Sequence, residues 1–126
     1  MSRHDDTVSM RQMLDHVEEA ATLAQGRTRE DLKSDRVFFL ALLKLIEIVG
    51  EAANRVSQAT QSAHPDIPWR EIIGTRNRLI HGYDAVDHDI LWEIVTTDFT
   101  RLARLLKLRV SGRAASSDST PDGPAA

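Results

Sequence analysis

Between positions 76 and 83 the chain carries Arg76, Asn77, Arg78, His81 and Tyr83. These supply fixed cations, an amide, an imidazole that titrates near neutrality and a phenol, enough to handle a phosphodiester without a metal ion. Metal-free cleavage of a phosphodiester needs an attacking hydroxyl deprotonated, the five-coordinate phosphate stabilised and the leaving oxygen protonated. Arg76 suits the second task. His81, an imidazole with an ordinary pKa of about 6.5, suits either proton transfer, but one ring does not easily perform both in a turnover. A second His81 from a partner subunit, a substrate group or a backbone group can share that work, and the sequence does not choose among them. Asn77 can orient the imidazole or contact a phosphate, and Tyr83 can hold a ligand by stacking or hydrogen bonding. Arg78, pointing elsewhere on a helical wheel, is the weaker candidate for backbone contact. Taken singly, each has a structural alternative: an arginine on an apolar stripe serves an ion pair, and a histidine near a helix-terminal glycine serves as a cap.

These residues need a helix to position them. Pro68 is a favourable first helical position, and Trp69, Ile72, Ile73, Leu79 and Ile80 then fall on one face at spacings of three, four and seven. Arg76 stands in the middle of that stripe. A guanidinium aimed into a bundle cannot shed its charge and must meet a carboxylate, a backbone acceptor or a ligand anion. Glu47 and Glu51, one turn apart on a preceding helix, are the expected partners; the alternative makes them solvated charges, with Glu51 to Arg55 an ordinary i,i+4 pair. Arg70, Gly74, Asn77 and His81 form a second, polar strip. Gly82 is a good left-handed helix stop, so Tyr83 is placed by a turn.

The rest of the chain reads as scaffold. Met10, Met13, Leu14, Val17, Ala21 and Ala24 keep helical spacing between about Thr7 and Gln25, and Gly26 closes that helix. Thr28 and Asp31 resemble a capping box that starts a short turn, after which Ser34 or Asp35 caps the longest helix, running to about Thr60. Its polar residues Lys44, Glu47, Glu51, Asn54 and Arg55 share a narrow arc, leaving an apolar arc of roughly 220° where a surface helix needs a stripe of ~100°. The excess predicts both a central place in the bundle and a subunit interface. Gly50, Ala52 and Ala53 form a patch that another helix or a ligand can approach. His64 to Pro68 is a loop. Asp84 or Asp87 starts a last helix with Trp92, Val95, Phe99, Leu102 and Leu106 on its apolar face and Arg101, Arg104, Lys107 and Arg109 towards its C-terminus. No stretch alternates like a strand. The predicted architecture is all-α, an up-and-down bundle of four main helices with short turns over residues 1–110, followed by a disordered Ser/Pro/Ala tail over 111–126.

Composition narrows the function. A chain of 126 residues makes one domain with a sizeable core. The absence of cysteine excludes a thiol nucleophile, a disulfide framework and a thiolate zinc site, and fits a reducing cytosol, so a cytoplasmic location is expected. No signal peptide opens the chain, and its longest apolar run, Val37 to Leu43, falls far short of the ~20 residues of a membrane span. A formal net charge of -3 argues against a general nucleic-acid coat, so any nucleic-acid contact is local. One competing chemistry is a metal phosphohydrolase built on His81, Asp84, Asp87, His88 and Asp89, hard oxygen and imidazole ligands. Acidic residues before a helix are more simply dipole-matched caps, and the spacing fits no metal motif, so neither metal nor cofactor is expected.

The 76–83 segment resembles the R-x4-H-x-Y signature of HepT-like HEPN proteins, with Arg76, His81 and Tyr83 in the fixed places and Asn77 at the polar position after the arginine. Ile48 Val49 Gly50 Glu51 Ala52 looks like the family's Gly-Glu-Ala stretch, and Ile67 Pro68 Trp69 like its lead-in. The likeness extends over about residues 5 to 108; the tail is not part of the pattern. It implies a metal-independent endoribonuclease, the toxin of a type VII toxin–antitoxin system, dimeric through its helical bundle with two motifs facing a shared cleft. It also implies an antitoxin partner, an MntA-type nucleotidyltransferase that neutralises the toxin by transferring AMP to Tyr83. The other function compatible with the resemblance is a non-catalytic HEPN subunit that binds and regulates such a partner; the intact motif counts against it.

Overall fold

The first helix begins where a carboxylate can satisfy its free amides: Asp5 accepts from the Thr7 amide at 2.9 Å and opens α1 (Asp6–Ala24). The computed structural model describes residues 5–81 and 85–122, with side chains for 5–80 and 85–110. α1 buries Met10, Met13, Leu14, Val17 and Ala24 as the spacing predicts, with Ala20 inside in place of the expected Ala21, which is exposed, and the chain turns away at Gly26 with φ +75°. A side chain there would meet no atom, so the conformation alone calls for glycine.

Arg27 fixes the next corner. Its guanidinium reaches Asp31 at 3.1 Å and Asp35 at 2.9 Å, with its carbon 3.9 Å from the centroid of the Phe38 ring. Asp31, in the single turn α2 (Asp31–Ser34), also accepts from the Thr28 amide at 2.8 Å, and Asp35 caps α3 (Arg36–Arg55) through the Phe38 amide at 3.1 Å. The backbone amides first, and Arg27 second, hold both carboxyls below their ordinary value of 3.8. A carboxyl depressed by folding contributes stability in full above its unfolded pKa and loses it as pH falls through the lower folded value. Melting temperature followed by circular dichroism should therefore stay level near neutrality and fall below about pH 4. The variant combining Asp31→Asn with Asp35→Asn should start lower and show a shallower fall; an unchanged acid slope would reject the assignment.

α3 holds the central position. It packs against α1 and against the later helical segments Trp69–Ile73 and Thr75–Leu79, burying Phe38, Phe39, Leu42, Leu45, Ile46, Val49, Ala52 and Ala53. Val37, 77% exposed, and Leu40, 44% exposed, are the apolar residues it leaves outside. The helix ends at Arg55, not near Thr60, because Ser57 caps a separate helix, α4 (Gln58–Ala63). Asp6 pins this break by accepting from the Ser57 amide at 2.9 Å and from the hydroxyls of Ser57 and Thr60. The following loop is tied down by the Trp69 indole, which donates to the His64 carbonyl at 3.0 Å, and by an ion pair between Asp66 and Arg109.

The segment expected as one helix from Pro68 to Gly82 is instead two short helices and a strand. α5 (Trp69–Ile73) ends at Gly74, α6 (Thr75–Leu79) follows at once, and Ile80–His81 is the strand β1. Local hydrogen bonds mark the break: the Gly74 amide makes a last i→i−4 bond to the Arg70 carbonyl at 2.9 Å, the Thr75 hydroxyl takes the Glu71 carbonyl at 2.8 Å, and the Asn77 amide closes on the Gly74 carbonyl, three residues back, at 3.0 Å. Packing reinforces it, since a Cβ on Gly50 of α3 would lie 3.2 Å from the Ile72 carbonyl oxygen, so glycine admits the end of α5. β1 pairs antiparallel with β2 (Ala85–Val86), Ile80 opposite Val86 and His81 opposite Ala85, and the Asp87 amide closes on the Leu79 carbonyl at 2.9 Å. No strand was expected, and Gly82, read as the helix stop, lies outside the described residues.

Asp87 caps α7 (His88–Glu93) through the Ile90 amide at 3.0 Å, as its acidic approach suggests. α7 runs through a π-helical turn, Ile94–Asp98, into α8 (Phe99–Asp122), and Thr96 and Thr100 donate their hydroxyls to carbonyls one turn back, at 2.7 and 2.9 Å. The buried residues are Leu91, Ile94, Val95, Phe99, Leu102, Leu106 and Val110, while Trp92 is half-buried, edge-on to Phe38. The backbone stays helical through 111–122, where a disordered tail is expected. The all-α bundle stands as predicted, its four main segments being α1, α3, α5–α6 and α7–α8. Among the described residues no helix is long and apolar enough to cross a membrane.

Candidate functional site

Arg76 lies on a groove of about 210 Å³ between α3 and α5–α6. From α3 come Leu43, Ile46, Glu47, Gly50, Glu51 and Asn54; from the facing wall come Ile72, Ile73, Thr75, Arg76, Leu79 and Ile80. Arg76, Glu47 and Glu51 thus line one groove, without the ion pair expected between them. The sequence pattern misjudges the burial of the arginine. Arg76 is exposed, because the break at Gly74 resets the helical phase and α6 turns Thr75 and Leu79 inward, four residues apart. Among the described residues it makes no ion pair with Glu47, Glu51 or any other carboxylate, so its charge is available to a ligand. The i,i+4 alternative for Glu51 is also not taken: Arg55 reaches across to the Gln12 carboxamide at 3.3 Å.

Asn77 is likewise exposed on α6. The helical interval expected to bring it beside His81 does not hold, since His81 belongs to β1. What the backbone establishes is that His81 directly follows Ile80, a residue of the groove wall, and is held in register opposite Ala85. The placement of the His81 side chain and of Tyr83 lies outside the described residues.

Arg78 goes elsewhere, as the wheel suggests. It is half-buried in a second groove of about 200 Å³, between α5–α6 and the start of α8, and pairs with Asp98 at 3.3 Å. Asp98 belongs to the π-helical turn, which no feature of the sequence announces. This pairing leaves Arg78 less free than Arg76 to meet a phosphate.

The candidate metal ligands that can be placed have other occupations. Asp87 caps α7, Asp89 pairs with Arg29 at 2.8 Å, and the His88 ring lies 5.1 Å from that of Phe39. Among the described residues no group of three His, Asp or Glu could hold a metal ion.

The profile of the family described as "Ribonuclease HepT-like" matches residues 13–108. A protein of Thermococcus cleftensis named "Probable ribonuclease HepT" is 36% identical over 106 residues, spanning 80% of this chain and 96% of that protein. A "Putative RNase" of Caldanaerobacter subterraneus is 34% identical over 83 residues, 66% of this chain and 74% of its own. Another protein so named, from Methanocaldococcus jannaschii, is 25% identical over 108 residues, covering 86% of this chain and 99% of its own. No solved structure gives a significant match. The groove with its exposed Arg76 and the strand of His81 is therefore carried by a chain that belongs to the HepT-like ribonuclease family.

Proposed function

We propose that this chain is a metal-independent endoribonuclease, the toxin of a toxin–antitoxin pair. The observation that carries the reading is the position of Arg76, exposed and unpaired among the described residues, on the wall that continues through Ile80 into His81. A guanidinium so placed can hold two phosphate oxygens at once and stabilise the charge that builds on the five-coordinate phosphorus. His81 supplies the proton transfers. The family membership and the relatives' names support action on RNA.

The active form is a homodimer, assembled over the outer face of α3 where Val37 and Leu40 are exposed, with its motifs in a shared cleft. The protein works in the cytoplasm, and an MntA-type nucleotidyltransferase is its antitoxin. The full-length protein should cut end-labelled RNA at internal positions with the same rate in excess EDTA, and light scattering should give a dimer's mass. Uncut RNA from a folded sample would leave the non-catalytic regulatory subunit as the reading. Loss of cutting in EDTA, restored by a divalent cation, would return the metal cluster.

A further inference from the structure

The two walls of the Arg76 groove carry opposite charge. α6 brings Arg76, while α3 brings Glu47 and Glu51 one turn apart, with Asn54 beyond them. Neither glutamate forms an ion pair among the described residues, so both keep their acceptor capacity. The floor between the walls is apolar, with Ile46 and Ile72 among its side chains, and Gly50 draws the helices together there. This is a built cleft with an internal polarity: a cation on one side and, facing it, two carboxylates that can only accept.

That polarity constrains how a nucleotide enters. A phosphate laid along α3 would meet two carboxylates, and the repulsion is not screened at contact distance. The sugar–phosphate chain must therefore follow α6, on Arg76, and the base is what turns across the apolar floor towards α3. A carboxylate can only accept hydrogen bonds. Cytosine, adenine and guanine offer exocyclic amino groups, whereas uracil offers a carbonyl oxygen at the position where cytosine has its amino group. We infer that the groove is a base-reading subsite in which Glu47 and Glu51 accept from the amino group of a base whose phosphate rests on Arg76, so that amino-bearing bases are preferred over uracil. The inference rests on the ribonuclease reading for its ligand, but not on whether a bond is cut.

Cytosine and uracil share one ring and differ chiefly at this edge, which makes them the cleanest probe. Fluorescein-labelled, uncleavable 2′-O-methyl oligocytidine and oligouridine of equal length should be titrated with the full-length protein and followed by anisotropy. Oligocytidine should bind about tenfold more tightly, the scale of one well-made base contact. Replacing both acids, Glu47→Gln with Glu51→Gln, keeps their size and supplies donors to the uracil carbonyl. The preference should then fall towards unity, with oligouridine bound more tightly than before. General damage to the fold would not strengthen binding. Arg76→Ala should weaken both oligomers alike and keep their ratio. Equal binding by the unaltered protein, or a cytosine preference that survives the double replacement, would overturn the subsite. Base preference in a sample that leaves ordinary RNA uncut would reject the nuclease and keep the subsite; cutting without base preference would do the reverse.

Discussion

Arg76→Ala is expected to lower the rate of RNA cleavage by about a hundredfold or more while leaving the melting temperature nearly unchanged. The two halves of that statement have different physical grounds. Arg76 is exposed and pairs with no carboxylate among the described residues, so its removal opens no cavity and strands no buried charge. Surface changes of this kind stay within roughly 0.5 kcal/mol of stability. A preorganised donor aimed at developing charge is typically worth about 3 kcal/mol of transition-state stabilisation, which is the expected loss in rate. Arg76→Lys should recover only part, because an ammonium keeps the charge but not the two-pronged geometry. His81→Ala should abolish cleavage for another reason, the loss of the proton carrier. Arg78→Ala should reduce it only partly, since that guanidinium faces the other groove and is held by Asp98. Single-turnover cleavage of one labelled RNA, measured beside thermal melts, separates these cases. If the Arg76→Ala and His81→Ala proteins are folded and cut at the original rate, the active site lies elsewhere.

How far the sequence reveals this site depends on the range of the interaction that decides each feature. The caps at Asp35 and Asp87 are legible because a carboxylate and the amide it accepts from lie within three residues. The buried faces of α1 and α3 are legible because periodicity reports them directly. The break at Gly74 is not, because an uninterrupted apolar stripe runs through it, and what favours the break is a threonine hydroxyl and the approach of Ile72 to Gly50, twenty-two positions earlier in the chain. That one miss carries the others with it. Read as a continuous helix, residues 68–82 put Arg76 inside the bundle and Asn77 one turn from His81; once the phase is reset, Arg76 stands in the open and His81 passes into a strand. Two paired residues on each side are too few for alternation to show, so the β1–β2 ladder leaves no mark in the pattern. Membership of the site survives the error because Arg76, Glu47 and Glu51 are assigned by which elements face each other, and that follows from the apolar stripes of α3 and α5.

The second large effect concerns Tyr83 and the means of silencing the nuclease. Gly82, Tyr83 and Asp84 are the residues between the paired His81 and Ala85, so Tyr83 is tethered two positions from the proposed proton carrier, in a connection whose ends are fixed by the β1–β2 ladder. In the proposed modification the phenolic oxygen attacks the α-phosphorus of ATP, pyrophosphate leaves, and the phenolic proton passes to a base of the transferase. The product carries a new phosphodiester with one negative charge and a purine. Attached two residues from His81 and seven from Arg76 in the chain, the phosphate would compete for the cation that the scissile phosphate requires, and the purine for the path of the RNA. One covalent event then removes charge stabilisation and access together, and the loss of cleavage should be as complete as that of Arg76→Ala. An MntA-type nucleotidyltransferase given ATP and magnesium should raise the intact mass of the protein by one adenylate, mapping to Tyr83, and cleavage should disappear in proportion to the modified fraction. The Tyr83→Phe protein should keep its mass and its activity through the same treatment. Adenylate found on another residue, or a Tyr83→Phe protein silenced all the same, would refute this route of neutralisation while leaving the roles of Arg76 and His81 untouched, because neither depends on the phenol.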